Sequence, residues 1–66
     1  MSEVALIKAD NTVDRIIEID FGSVSADLAF CQNLGYPTVI YVTGIDPRPN
    51  PGWIWMGGNS FTNPNP

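Results

Sequence analysis

The sequence predicts a small α+β fold. It expects one antiparallel sheet of four to five short strands, in the order β-β-α-β-β-β, with one short helix packed on a face. Three observations point there. Short β-branched and aromatic runs recur along the chain, one stretch alone has helical spacing, and Gly, Pro, Asn and Asp punctuate the gaps. At 66 residues the chain is one domain over residues 1–62, followed by a Pro/Asn tail at 63–66.

The first run, Glu3 to Lys8, is apolar and β-rich, and Ala9-Asp10-Asn11-Thr12 follows it. Asp and Asn tolerate the left-handed conformation of tight hairpin turns. Thr12 to Asp20 supplies the second strand, centred on Ile16, Ile17 and Ile19. Strict alternation fails at Ile16-Ile17, so either both faces are covered there or a bulge shifts the register. Phe21-Gly22 ends the strand. Ser23 or Ser25 then caps a helix over residues 25–34, because a serine oxygen accepts from the free amides of the first turn. Asp27 falls in that turn, where the helix dipole favours an anion. Leu28, Cys31 and Leu34 mark the inner face, with Phe30 near Leu34 across one turn. Gly35 is the stop, and Pro37 follows. A helix this short must dock on the sheet to persist.

Thr38 to Thr43 is β-branched and aromatic throughout, which suits a strand covered on both faces. Gly44 breaks it. The loop Asp46 to Gly52 carries Pro47, Pro49 and Pro51, which stiffen it toward an extended path. Trp53 to Met56 reads as a short strand, Gly57-Gly58-Asn59 as a turn, and Ser60-Phe61-Thr62 as a last strand that pairs back.

Composition narrows the function. Seven acidic residues against three basic ones give a net charge of −4. Sequence-independent nucleic-acid binding needs a basic patch, and an anionic membrane surface repels such a chain. The first residues have neither the basic n-region nor the long apolar core of an export signal. One cysteine allows no internal disulfide, and without histidine the usual zinc, haem and iron–sulfur ligand sets are missing. No cofactor or metal is implied. No Ser-His-Asp or Cys-His pair can form, so catalysis is not expected. Only 15% of residues are charged, below the ~25% usual for soluble domains, which fits a chain whose surface is largely covered by partners.

Two surfaces stand out. Asp10, Asp14, Glu18 and Asp20 crowd the first hairpin. With unbroken alternation, Asp14, Glu18 and Asp20 share a face. This face reads as a solvated exterior, or alternatively as a small ligand- or calcium-binding site, although its spacing is not that of an EF-hand loop. The second surface is the proline-rich aromatic stretch. Trp and Arg are enriched at interface hot spots, and prolines present them at low entropic cost. Arg48, Pro49, Pro51, Trp53, Trp55, Met56, Phe61, Pro64 and Pro66 are the candidate partner-binding residues. Parity puts Trp53 and Trp55 on one face of their strand, and Ile54 and Met56 on the other.

The segment Gly52-Trp53-Ile54-Trp55-Met56-Gly57-Gly58-Asn59-Ser60-Phe61-Thr62-Asn63-Pro64 resembles the G-W-x-(Y/W)-x-G-x-x-F-x-P ending of small tailed-phage structural proteins and some tail-fibre assembly proteins. Ala5-Leu6-Ile7-Lys8 followed by Asn11-Thr12-Val13-Asp14-Arg15-Ile16-Ile17 is similar to their opening, with Arg15 in place of the usual Asn. The resemblance implies a non-enzymatic virion protein, assembled in the host cytoplasm. The resemblance does not say where on the particle. The placement expected here is a capsid cement or decoration protein that binds the major capsid protein or another virion protein, and itself, in many copies. A tail-fibre or baseplate-associated protein, or a tail assembly chaperone, is the alternative.

Overall fold

The computed structural model describes residues 2–64. Its elements are β1 (Ser2–Ile7), β2 (Val13–Ile19), α1 (Val24–Gln32), β3 (Thr38–Tyr41), β4 (Ile54–Trp55) and β5 (Phe61–Thr62). They form an α+β fold with two antiparallel sheets rather than one. The larger sheet has the order β2-β1-β3, and β4 and β5 make a separate pair. A single bridge, Thr12 to Ile54, links the two.

The hairpin joining β1 and β2 forms as its residues dictate. Asn11 takes the left-handed conformation at φ 69°. Its amide donates to the Lys8 carbonyl at 2.9 Å, and the Lys8 amide donates to the Thr12 carbonyl at 2.9 Å. Asp10 Oδ1 accepts from the Thr12 amide at 3.0 Å, the Asx-turn that favours Asp here. Two-sided cover explains Ile16-Ile17. Ile16 packs on one side of the sheet and Ile17 on the other. A bulge also breaks the register, and it lies upstream. Leu6 faces Arg15 and Ile7 faces Val13, which leaves Asp14 as the extra residue.

β1 is the central strand, and both of its faces are buried. Val4, Ala5, Leu6 and Ile7 are all buried. Ala5 and Ile7 join Val13 and Val42 on one face, under Trp53, Trp55 and Phe61. Val4 and Leu6 join Cys31 on the other, under Leu28 and Tyr36. Each large aliphatic buried in this way contributes about 1.5–3 kcal/mol. β3 is also covered on both faces, with Val39 in the helix-side cluster and Ile40 in the arm-side cluster, but it lies at the sheet edge and its four residues are only partly buried. An apolar run does not reveal whether a strand is central, because that depends on what the rest of the chain lays beside it.

Ser23, rather than Ser25, caps α1, and its Oγ accepts from the Ala26 amide at 3.2 Å. Cys31 and Leu28 face inward as expected, but Leu34 and Phe30 are exposed. The helix ends at Gln32, so Leu34 falls in the following turn and leaves the inner face.

Asp27 does more than meet a dipole. It is buried, accepts from the Phe21 amide at 2.7 Å, and takes the Ser2 hydroxyl in a short hydrogen bond. One carboxylate thus ties the start of β1, the end of β2 and α1 together. Asp27→Ala leaves two donors without their acceptor and should lower the unfolding free energy by about 1–3 kcal/mol. Urea denaturation should read this as a lower midpoint, and Asp27→Asn, which keeps an acceptor, should lose less.

Candidate interaction surface

The aromatic C-terminal stretch is turned into the body of the protein. Trp53, Trp55 and Phe61 pack against the Ala5/Ile7/Val13/Val42 cluster. Backbone bonds hold the arm there. The Val13 amide donates to the Trp53 carbonyl, the Gly52 amide to the Val13 carbonyl, and the Trp55 amide to the Asn11 carbonyl, each at 2.8 Å. Trp55 Nε1 donates to the Gly58 carbonyl at 2.9 Å. The turn beneath it needs positive φ at both Gly57 (98°) and Gly58 (55°), which other residues adopt only under strain.

The remaining candidates divide. Pro49 is buried within the chain, so it offers a partner no surface. Pro51 and Pro64 are exposed, and Met56 is 64% exposed. Pro66 lies outside the described residues. Arg48 pairs with Glu3, Nη2 to Oε2 at 2.9 Å. Glu3 stands directly opposite Glu18 in the ladder, an unfavourable like-charge pair that Arg48 offsets. The pair is half-exposed, so it is worth less than about 1 kcal/mol.

The acidic hairpin does not converge. The bulge turns Asp14 toward Tyr36, which packs on the helix side of the sheet, whereas Glu18 faces Glu3. Asp10 is engaged by Thr12, and Asp20 Oδ1 accepts from the Gly22 amide at 3.2 Å. Among the described residues no group of three or more His, Cys, Asp or Glu is placed to hold a metal ion.

The Tyr36 hydroxyl donates to Asp14 and holds its carboxyl below the usual carboxylate range, with Arg15 adding to the effect. The same bond raises the Tyr36 phenol above its ordinary value. The Thr12 amide likewise lowers the Asp10 carboxyl. Burial, with the Asp27 charge behind it, pushes the Cys31 thiol up, so the thiol stays protonated and unreactive.

The sequence reading missed an aromatic pair outside this arm. Phe21 and Phe30 stack with ring centroids 4.9 Å apart, tilted by 44°. Phe21 is 54% exposed and Phe30 42%. The available signal was that Phe30 lies off the Leu28/Cys31 stripe of the helix, and its expected neighbour Leu34 falls beyond the helix end.

No family model, curated protein or solved structure matches the chain. From Gly57 the chain reaches Phe61 one residue later than the G-x-x-F pattern, and Pro64 one residue later again.

Two outcomes follow from these contacts. The Tyr36–Asp14 bond needs an ionised carboxyl and a neutral phenol. The Asp14 contribution is therefore present above the ordinary carboxylate pKa of about 4 and lost as pH falls through its depressed value. The Tyr36 contribution is present below about 10 and lost as pH rises through its raised value. In Tyr36→Phe, an NMR titration should show the Asp14 pKa returning toward the ordinary range. Separately, Arg48→Ala should destabilise the chain at low ionic strength, and the difference should shrink in 1 M salt, where screening acts within about 3 Å.

Proposed function

We propose that the chain is a non-enzymatic structural protein of a tailed-phage particle, binding neighbouring virion subunits and further copies of itself. A cement or decoration role on the head, against the major capsid protein, is the placement we favour. The observation that carries this reading is the apolar surface left over once the fold is complete. Phe21, Val24, Phe30, Leu34 and Met56 are large hydrophobic side chains that remain exposed on a small chain. Phe21 and Phe30 touch each other, and contiguous exposed apolar groups mark surfaces made to be covered. The resemblance of the aromatic ending to small phage proteins supports the setting.

The mechanism differs from a free aromatic arm. Trp53, Trp55 and Phe61 serve the fold, and the Phe21–Phe30 pair offers a rigid aromatic anchor. Each contact is small, and repetition over a lattice converts weak contacts into firm attachment through effective concentration.

Mass spectrometry of purified particles, with copy number, tests the reading. Copies in the number of the head lattice support cement. A few copies, in a multiple of the tail's rotational symmetry, move the chain to the tail. Absence from particles overturns the virion role and leaves an assembly chaperone. Phe21→Ser with Phe30→Ser should reduce particle occupancy while leaving the unfolding midpoint nearly unchanged. Trp55→Ala should lower both together.

A further inference from the structure

The two edges of the β2-β1-β3 sheet are finished differently. Along β2, Asp14, Arg15 and Glu18 place charges, and the bulge at Asp14 breaks the ladder. The start of β2 is also occupied, because Gly52, Trp53 and Trp55 bond to Asn11 and Val13. These are the devices that stop one sheet edge from pairing with another. The outer edge of β3 has none of them. Thr38-Val39-Ile40-Tyr41 has no charge, no proline and no bulge.

The register shows which backbone groups are open. The Val42 amide donates to the Glu3 carbonyl at 2.8 Å, and Ala5 pairs with Ile40 and Ile7 with Thr38 in the same register. Antiparallel ladders alternate, so Thr38 and Ile40 bond inward to β1. Val39 and Tyr41 therefore direct their amides and carbonyls outward. Among the described residues, no backbone bond outside the β1 ladder reaches either of them.

We propose that the outer edge of β3 pairs antiparallel with β3 of a second copy, joining two three-stranded sheets into one continuous sheet across a two-fold axis. With Val39 opposite the partner's Tyr41, the outward groups of both strands bond reciprocally and the axis passes beside Ile40. An isologous contact of this kind needs a self-complementary segment, and a short uncharged antiparallel strand is one.

Charge selects a second copy as the occupant. Every charged residue of the chain lies outside Leu28–Ile45, and the whole carries −4. Two like-charged copies meet with least repulsion where both present this neutral stretch. A foreign peptide would need pockets for its alternate side chains to be read specifically, and no pocket opens among the described residues. The proposal gives a surface to the self-association in the virion reading and rests on it only to that extent. It is tested on the isolated chain, so absence from particles would leave it standing.

The experiment is sedimentation equilibrium of the full chain up to about 1 mM, with amide hydrogen exchange followed against concentration. The expected result is a monomer–dimer equilibrium in which the Val39 and Tyr41 amides gain protection as dimer forms, while Ile40 is protected throughout. Tyr41 belongs to neither buried cluster, and its outward amide makes proline tolerable there. Tyr41→Pro should abolish the dimer. Tyr41→Lys, which keeps the amide but adds an edge charge, should weaken it about tenfold or more. Circular dichroism checks that each variant folds, and Tyr41→Lys serves if the proline variant does not. A chain monomeric over the whole range overturns the proposal. So does a dimer that survives Tyr41→Lys at unchanged affinity, or one that leaves the Val39 and Tyr41 amides unprotected.

Discussion

The structure depends on covering β1 from both sides. Val4-Ala5-Leu6-Ile7 alternates between two faces, and each residue is buried. One layer cannot do this, since a strand sends successive side chains to opposite faces. The helix covers Val4 and Leu6, and the C-terminal arm covers Ala5 and Ile7. A chain of 66 residues thereby becomes three thin layers, and few residues are left to build a core elsewhere. That constraint accounts for the tryptophans. A small sheet face with Ala5 at its centre needs wide, flat side chains above it, and Trp53 and Trp55 supply large area with few rotatable bonds.

Using the arm for the fold changes which residues are left to meet a partner. Residues that resemble hot spots in the sequence, Trp53, Trp55 and Pro49, are spent on packing within the chain. What remains outside is the Phe21–Phe30 pair, Leu34, Met56 and the unguarded edge of β3. The charged side of β2 and the uncharged stretch from Leu28 to Ile45 give the chain two flanks of different character. In the virion role we propose, the second holds a neighbour and the first stays wet.

Local features were legible in the sequence. The Asp10-Asn11 turn, the Ser23 cap and the Cys31 inner face each follow from residues within one turn of each other, whereas the helix stops at Gln32 with Asn33 as its cap, short of Gly35. Parity also placed Trp53 and Trp55 together. Non-local features were not legible. The sequence marks β1 and β3 equally as apolar runs, and only the pairing of β2 and β3 on either side of β1 makes one central and leaves the other at an edge. Asp27 already had a sufficient local reason to sit in a first helical turn, so its role as acceptor for Ser2 and Phe21 left no further trace. The like-charge pair Glu3–Glu18 appears only once the register is known, and with it the reason Arg48 pairs with Glu3.

Two-sided cover of β1 requires the arm and β1 to form one cooperative unit. Native-state hydrogen exchange in low urea tests that most directly. The amides of Val13, Trp53 and Trp55, which bridge arm and sheet, should exchange with the same opening free energy and urea dependence as those of β1, because removing the arm uncovers Ala5 and Ile7. Exchange of Trp53 and Trp55 through a small local opening, with β1 still fully protected, would contradict it. The arm would then be a detachable segment, and the tryptophans would return to the partner surface.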